Sequence, residues 1–239
     1  MEPLGSEETA PLDRELTSRT IRLTAAPDQR VALATAETPR TFWAAPGEAT
    51  VVGSGSATTI RADGRDRFQA VQDAARELFS AGDVHAGALA ARPRLFGGFS
   101  FHDEHASAGP WGGYPRAKFD LPRTQLTYTD DGTWLTVNAV DTEAERVERR
   151  LDAEVERLRS ISSPDAGRGP PGIVDRTRTT SEANWRRSVI AATDRIAAGE
   201  LRKVVLAQAL RVTLARPLLL SDTLSRLEER YPDCYRFLI

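Results

Sequence analysis

Lys203 is the residue whose placement asks for chemistry. It heads the run Lys203-Val204-Val205-Leu206-Ala207-Gln208-Ala209-Leu210, which is β-branched early and apolar nearly throughout. Such a run suits a strand buried on both faces, although a buried helix segment gives the same hydropathy. A lysine taken into dry surroundings loses the solvation of its ammonium form. Its pKa then falls, and the neutral amine can serve as a base or a Schiff-base nucleophile. The competing reading is a solvated lysine that only marks the mouth of a strand.

The other candidates carry less. His85, His102 and His105 are the only histidines, and His102-Asp103-Glu104-His105 gathers two imidazoles and two carboxylates within one turn of chain. Metal sites need ligands on rigid supports, and a glycine-flanked loop offers little, so the cluster reads as polar surface. No nucleophile elbow, Walker loop or CxxC pair is present. Gly97-Gly98 and Gly112-Gly113 are too short to cradle a phosphate and fit close packing or turns. Phe96, Phe99, Phe101, Trp111, Tyr114 and Phe119 read as core and loop anchors, because no basic patch accompanies them.

The elements that must position Lys203 come just before it. Thr179 followed by Glu182 is a capping-box pattern, which predicts a helix start. Trp185, Val189, Ala192 and Ile196 recur at helical spacing and form one apolar face, and Gly199 supplies the left-handed residue that ends the helix.

Further upstream, residues 1–19 are polar and without periodicity, which predicts a disordered lead-in to a domain over 20–239. Ile21–Ala25, Arg30–Ala36, Thr41–Ala45 and Ala49–Ser56 read as short strands between turns at Pro27-Asp28, Thr38-Pro39 and Pro46-Gly47. A helix is predicted over Arg65–Ser80, with Phe68, Val71, Ala75, Leu78 and Phe79 on one face. Strands follow at Arg94–His102, Ala117–Leu121, Thr124–Thr129 and Trp134–Val140, with a hairpin turn at Asp130-Asp131-Gly132 and a loop over Asp103–Gly113. The glycine pair inside Arg94–His102 predicts a bulge or a close backbone approach. A second helix covers Glu143–Arg159 with the stripe Val147, Leu151, Val155 and Leu158. Ser162–Gly172 is a proline- and glycine-rich loop, and a short helix over Ser221–Arg230 precedes an apolar strand over Cys234–Ile239. This succession of β segments with intervening helices predicts an α+β fold with a largely antiparallel sheet and flanking helices. An apolar strand of that kind needs its backbone edge paired, so Cys234–Ile239 reads as an unnatural chain end.

Composition bounds the partners. The chain has 239 residues, 40% of them hydrophobic, and a formal net charge of -2, which gives no reason to expect nucleic acid or an anionic membrane. A single cysteine, Cys234, excludes an internal disulfide framework and fits a reducing cytoplasm. No stretch is long and apolar enough to span a bilayer, and the N-terminus lacks a signal-peptide pattern, so cytoplasmic localisation is expected.

Three blocks in order resemble the chorismate-utilising enzymes, most of all the isochorismate synthases. Phe96-Gly97-Gly98-Phe99-Ser100-Phe101 is similar to the family's FGGFAF strand. Trp111 with Tyr114-Pro115, Phe119 and Leu121-Pro122-Arg123 resembles its W-x-x-[FY]-P…F-x-L-P-R stretch. Trp185 and Ile196-Ala197-Ala198-Gly199-Glu200-Leu201-Arg202-Lys203-Val204-Val205-Leu206-Ala207 resemble I-x-x-G-x-[LI]-x-K-V-V-L-A-R. The resemblance implies the chorismate-binding α/β sandwich, chorismate as substrate, and Lys203 as the general base that activates water for attack at C2 while the C4 hydroxyl leaves. It also implies Mg²⁺ as cofactor.

Gln208 stands where the family commonly has arginine. The family's G-[AS]-[ST]-P-E block, its glutamate general acid and its Mg²⁺-binding glutamates find no counterpart before Ile239. The resemblance therefore implies the N-terminal portion of such an enzyme, inactive by itself, and raises the expectation of a C-terminal half supplied in trans. Aminodeoxychorismate or salicylate synthase relatives, and a non-catalytic remnant or interaction subunit, are the alternatives. Anthranilate synthases generally lack the lysine, whereas aminodeoxychorismate synthase keeps one as a covalent nucleophile.

Overall fold

The computed structural model describes residues 15–102, 114–161 and 169–239. The stretch 20–239, expected as one domain, divides into two compact units: Met1–Pro164 with Leu220–Ile239, and Asp165–Leu219.

The larger unit is built on an eight-stranded sheet. Its strands are β1 (Leu16–Leu23), β2 (Arg40–Ala44), β3 (Thr50–Ala62), β4 (Asp83–His85), β5 (Phe96–Phe99), β6 (Ala117–Thr129), β7 (Gly132–Val140) and β10 (Arg236–Leu238). The spatial order is β10-β2-β3-β6-β7-β1-β4, with β5 paired to the first part of β6. Every pairing is antiparallel except β1 with β4. The fold is α+β, as expected.

Strand alternation explains which face meets the helices. In β7, Leu135, Val137 and Ala139 point to one side, and Trp134, Thr136 and Asn138 to the other. Helix α3 (Ala144–Ser160) lays Val147, Leu151 and Leu158 on the first side, against Val52, Leu126 and Leu135. Helix α1 (Gln29–Thr35) adds Ala32 and Leu33 to this core, and helix α5 (Leu220–Arg230) adds Leu224. A second core joins Val71 and Leu78 of α2 (Arg67–Ser80) to Leu16, Ile60, Ala117 and Leu121.

The opposite face of β1, β6 and β7 is buried but polar. Ser18 Oγ donates to Asn138 Oδ1 at 2.7 Å, and Asn138 Nδ2 donates to the Pro122 carbonyl at 2.8 Å. Thr136 Oγ1 donates to the Ala91 carbonyl at 2.8 Å, and Gln125 Nε2 to that of Arg92 at 3.1 Å. Carbonyls around the short 3-10 turn Leu89–Ala91 therefore satisfy groups that would otherwise be costly to bury.

Three local expectations change. Leu16 to Arg19, placed in the disordered lead-in, form the start of β1 and are buried, because β7 pairs with Leu16 onwards; residues 1–14 lie outside the described residues. Arg30–Ala36, expected as a strand, is helix α1. Asp28, read as part of a turn, is its N-cap and accepts from the Arg30 N–H at 2.8 Å. Ala117–Leu121 and Thr124–Thr129 are one strand, since β3 pairs across Pro122 with a register shift near Ser56. The end of the chain pairs as well: Arg236, Phe237 and Leu238 meet Ala44, Trp43 and Phe42 of β2.

The smaller unit contains β8 (Ile173–Arg178), α4 (Glu182–Ala197) and β9 (Leu210–Leu214). β8 and β9 form a two-stranded antiparallel sheet. No residue of these three elements is buried.

Candidate functional site

Lys203 follows α4 by a turn that the sequence specifies closely. Ser181, rather than Thr179, is the N-cap: its Oγ accepts from the Asn184 N–H at 3.3 Å. Glu182 sits in the first turn, where a carboxylate favours the helix dipole. At the far end Ala198 is the C-cap, and Gly199 takes φ +79°, a conformation that disfavours any residue with a Cβ. The N–H groups of Glu200 and Leu201 both return to the Arg195 carbonyl, and Arg195 Nε donates to Glu200 Oε2 at 2.9 Å.

The strand expected from Lys203 onwards does not form there. Regular strand begins only at Leu210, where Arg178 of β8 is its ladder partner; Lys203 to Ala209 are irregular and exposed. An extended segment becomes a strand only when a neighbour takes its N–H and C=O groups, and among the described residues none flanks Lys203 to Ala209. Thr179 instead pins the end of this segment: its N–H and its hydroxyl both donate to the Ala209 carbonyl at 3.1 Å. Gln208 Nε2 donates to the Thr180 carbonyl at 3.0 Å. The apolar residues after Lys203 face water, Val205 at 79% exposure. Desolvation of the Lys203 amine is thus not provided by its immediate neighbours.

The other two sequence blocks lie in the larger unit. Gly97 meets the expectation of close backbone approach: a Cβ there would stand 1.9 Å from the Lys118 carbonyl oxygen across the β5–β6 pair. Gly98, beside it, has open space. Phe99 packs against Phe68 and Phe119, with ring centroids 4.5 and 4.9 Å away, whereas Phe101 is fully exposed. Leu121 is buried, and Arg123 pairs with Glu37 at 3.1 Å. Asp120, which the sequence reading passed over, is buried and paired with Lys118 at 2.6 Å, and accepts from Thr59 Oγ1 at 2.5 Å. His85 is exposed beside Asp83, and no group of three or more His, Cys, Asp or Glu among the described residues could hold a metal ion. His105, Trp111 and the rest of 103–113 lie outside the described residues, as do 162–168 of the expected loop. Among the described residues no helix is long and apolar enough to cross a membrane.

A match to the family described as chorismate binding enzyme spans residues 12–239, so the chain belongs to that family. Among its relatives is the isochorismate synthase MenF of Bacillus subtilis strain 168. The two are 25% identical over an alignment of 210 residues, and the match covers 84% of this chain and 44% of that protein. The fold resembles that of MenF, the menaquinone-specific isochorismate synthase from Escherichia coli, with a TM-score of 0.63 at 20% identity. That likeness covers 94% of this chain and 47% of the other. The chain therefore spans less than half the length of the relatives it matches.

Proposed function

We propose that this chain is the lysine-bearing portion of an isochorismate synthase. The observation that carries the reading is the family match over residues 12–239 together with the lysine at position 203, which follows a helix and a glycine turn and heads the apolar run that the family resemblance requires. In this reading Lys203 takes a proton from water, the oxygen attacks C2 of chorismate, and both ring double bonds shift in turn, C1=C2 to C1=C6 and C5=C6 to C4=C5, as the C4 hydroxyl departs. Water is added and water is lost, so the change is an isomerisation. The leaving hydroxyl takes a proton from a general acid that the resemblance assigns to residues following the position of Ile239. The described residues do not fit the Mg²⁺ that the resemblance also implies, since no group of three or more His, Cys, Asp or Glu among them could hold a metal ion.

A base must be neutral to accept a proton, and the exposed setting of Lys203 gives it no dry surroundings. Turnover in this reading therefore needs further protein surface around Lys203, supplied in continuation or in trans. Purified 239-residue chain with chorismate and Mg²⁺ is expected to form no isochorismate. The same chain joined to the C-terminal half of a relative is expected to form it, and Lys203→Ala should lower that rate by roughly 10²–10⁴-fold. Activity of the joined enzyme that survives Lys203→Ala would sink the assignment. Salicylate with pyruvate, or an amino product dependent on glutamine, would move it to a sister activity. The exposure of Lys203 also favours a second reading, a non-catalytic member of the family, which a joined enzyme without activity would support.

A further inference from the structure

A groove on the helix-bearing face of the sheet has the makings of an oxyanion site. Val52, Leu126 and Leu135 are directly paired across β3, β6 and β7 and form an apolar row under α3. Two residues along each strand, on the same face, the row becomes Ser54, Thr124 and Val137. These short side chains do not fill the space beneath the helix, and a groove of about 440 Å³ remains. Arg150, Ala153, Glu154 and Arg157 of α3 form one wall, since residues three, four and seven apart share a helix face. Glu37 and Arg123 form the other.

The charges on these walls are unequal. Glu154, with a side chain only 16% exposed, binds Arg157 through two bonds of 2.8 and 2.5 Å. This carboxylate, and more weakly Glu37, hold the Arg157 guanidinium firmly protonated against the opposing effect of burial. Glu37 is 69% exposed and pairs with Arg123 at 3.1 Å, an exposed contact of the kind that contributes little. Arg150 has no carboxylate partner among the described residues. The guanidinium of Arg123 rests on the backbone of Gly55, where a Cβ would come within 2.8 Å of Nη2, and φ is +62°. Ser54 Oγ accepts from the Glu37 N–H at 2.8 Å, so its own proton is free to be donated.

We propose that this groove binds the phosphate group of a small phosphomonoester. A tetrahedral oxyanion accepts from forks on two walls at once and from a hydroxyl beneath, whereas a planar carboxylate matches one fork. The incoming phosphate replaces Glu37 as the partner of Arg123 and gives Arg150 an anionic partner, which it lacks among the described residues. The volume leaves room for a small organic body beside the phosphate.

Calorimetric titration of the full 239-residue chain tests this with inorganic phosphate and glycerol 3-phosphate, against citrate and chloride at matched ionic strength. Saturable binding of both phosphates is expected, weakened about tenfold or more by Arg150→Gln, as loss of a charge-assisted bond implies. Ala153→Trp, which fills the groove and leaves every charge in place, should abolish it, with circular dichroism confirming that both variants fold. Phosphate heats no different from chloride would overturn the proposal. Binding unchanged in both variants would do so too, as an adventitious ion only, and tighter binding of citrate than of phosphate would overturn the phosphate assignment.

Discussion

Helices α3 and α4 have 17 and 16 residues and each carries an apolar stripe, yet they meet opposite fates. α3 buries Val147, Leu151 and Leu158 in one core with apolar residues of the large sheet. α4 buries nothing: Val189 is 38% exposed and Ile190 52%. A stripe is a demand for an opposing apolar surface. The large unit meets it internally, while the two-stranded sheet β8–β9 is too small to build a core of its own. The same contrast holds for strands. Leu135 lies inside a paired ladder and is wholly buried, but Val205, in a run just as apolar, has no ladder and lies open.

Substitutions at these paired positions can break the comparison. The largest effect is expected at Leu135→Ala, which should cost about 2–5 kcal/mol because the closely packed core cannot collapse into the void. Denaturant melts would show it as a lower midpoint with an unchanged slope. Gly97→Ala follows, at about 1–3 kcal/mol, because β5 must move away from the Lys118 carbonyl. Gly98→Ala, with nothing within 4 Å, should leave the melt nearly unchanged. Equal losses at the two glycines would disprove the close approach.

A third effect depends on pH. The Arg19 guanidinium bonds Asp83 at 2.6 Å and holds its carboxyl below the ordinary 3.8. A depressed folded pKa stabilises the fold at pH above the unfolded value, and that contribution disappears as pH falls below about 3.8 through the folded value. Stability measured from pH 6 down to 2 should therefore drop less steeply in Asp83→Asn than in the parent chain. An identical acid limb would mean that the pair does not form. The smallest change is expected at Val205→Ala, within about 0.5 kcal/mol, since the side chain is already in water. A loss comparable to that of Leu135→Ala would mean that Val205 is buried in solution, and would erase the contrast between the two regions.

Much of the layout was legible in the residues, for identifiable reasons. α2, α3 and the β6–β7 hairpin follow from strong period-3.6 and period-2 patterns and from the turn signal Asp131-Gly132. Gly97 announced a close approach and Gly199 a helix end. Helix α1 was missed because its seven residues are too few to display a period, although Asp28 as a cap before an alanine- and leucine-rich run was a usable signal. Strand β8 went unseen because Ile173–Arg178 is polar and exposed, and only its pairing with β9 makes it a strand. Arg123 was noticed as part of a motif, but not its setting: nothing in the order of residues joins it to Arg150 and Arg157.

The sequence by itself determined the helical and strand periods, the caps and turns, and the ordered blocks that make this chain a member of the chorismate binding enzyme family. Those features depend on near neighbours, whose spacing the covalent chain sets directly. Tertiary structure alone decided which apolar runs are buried, that Lys203 faces water in this chain, and that Arg123 lines one groove with Arg150 and Arg157 of α3. Burial and charge placement are properties of the opposing surface, and that surface is supplied by distant residues.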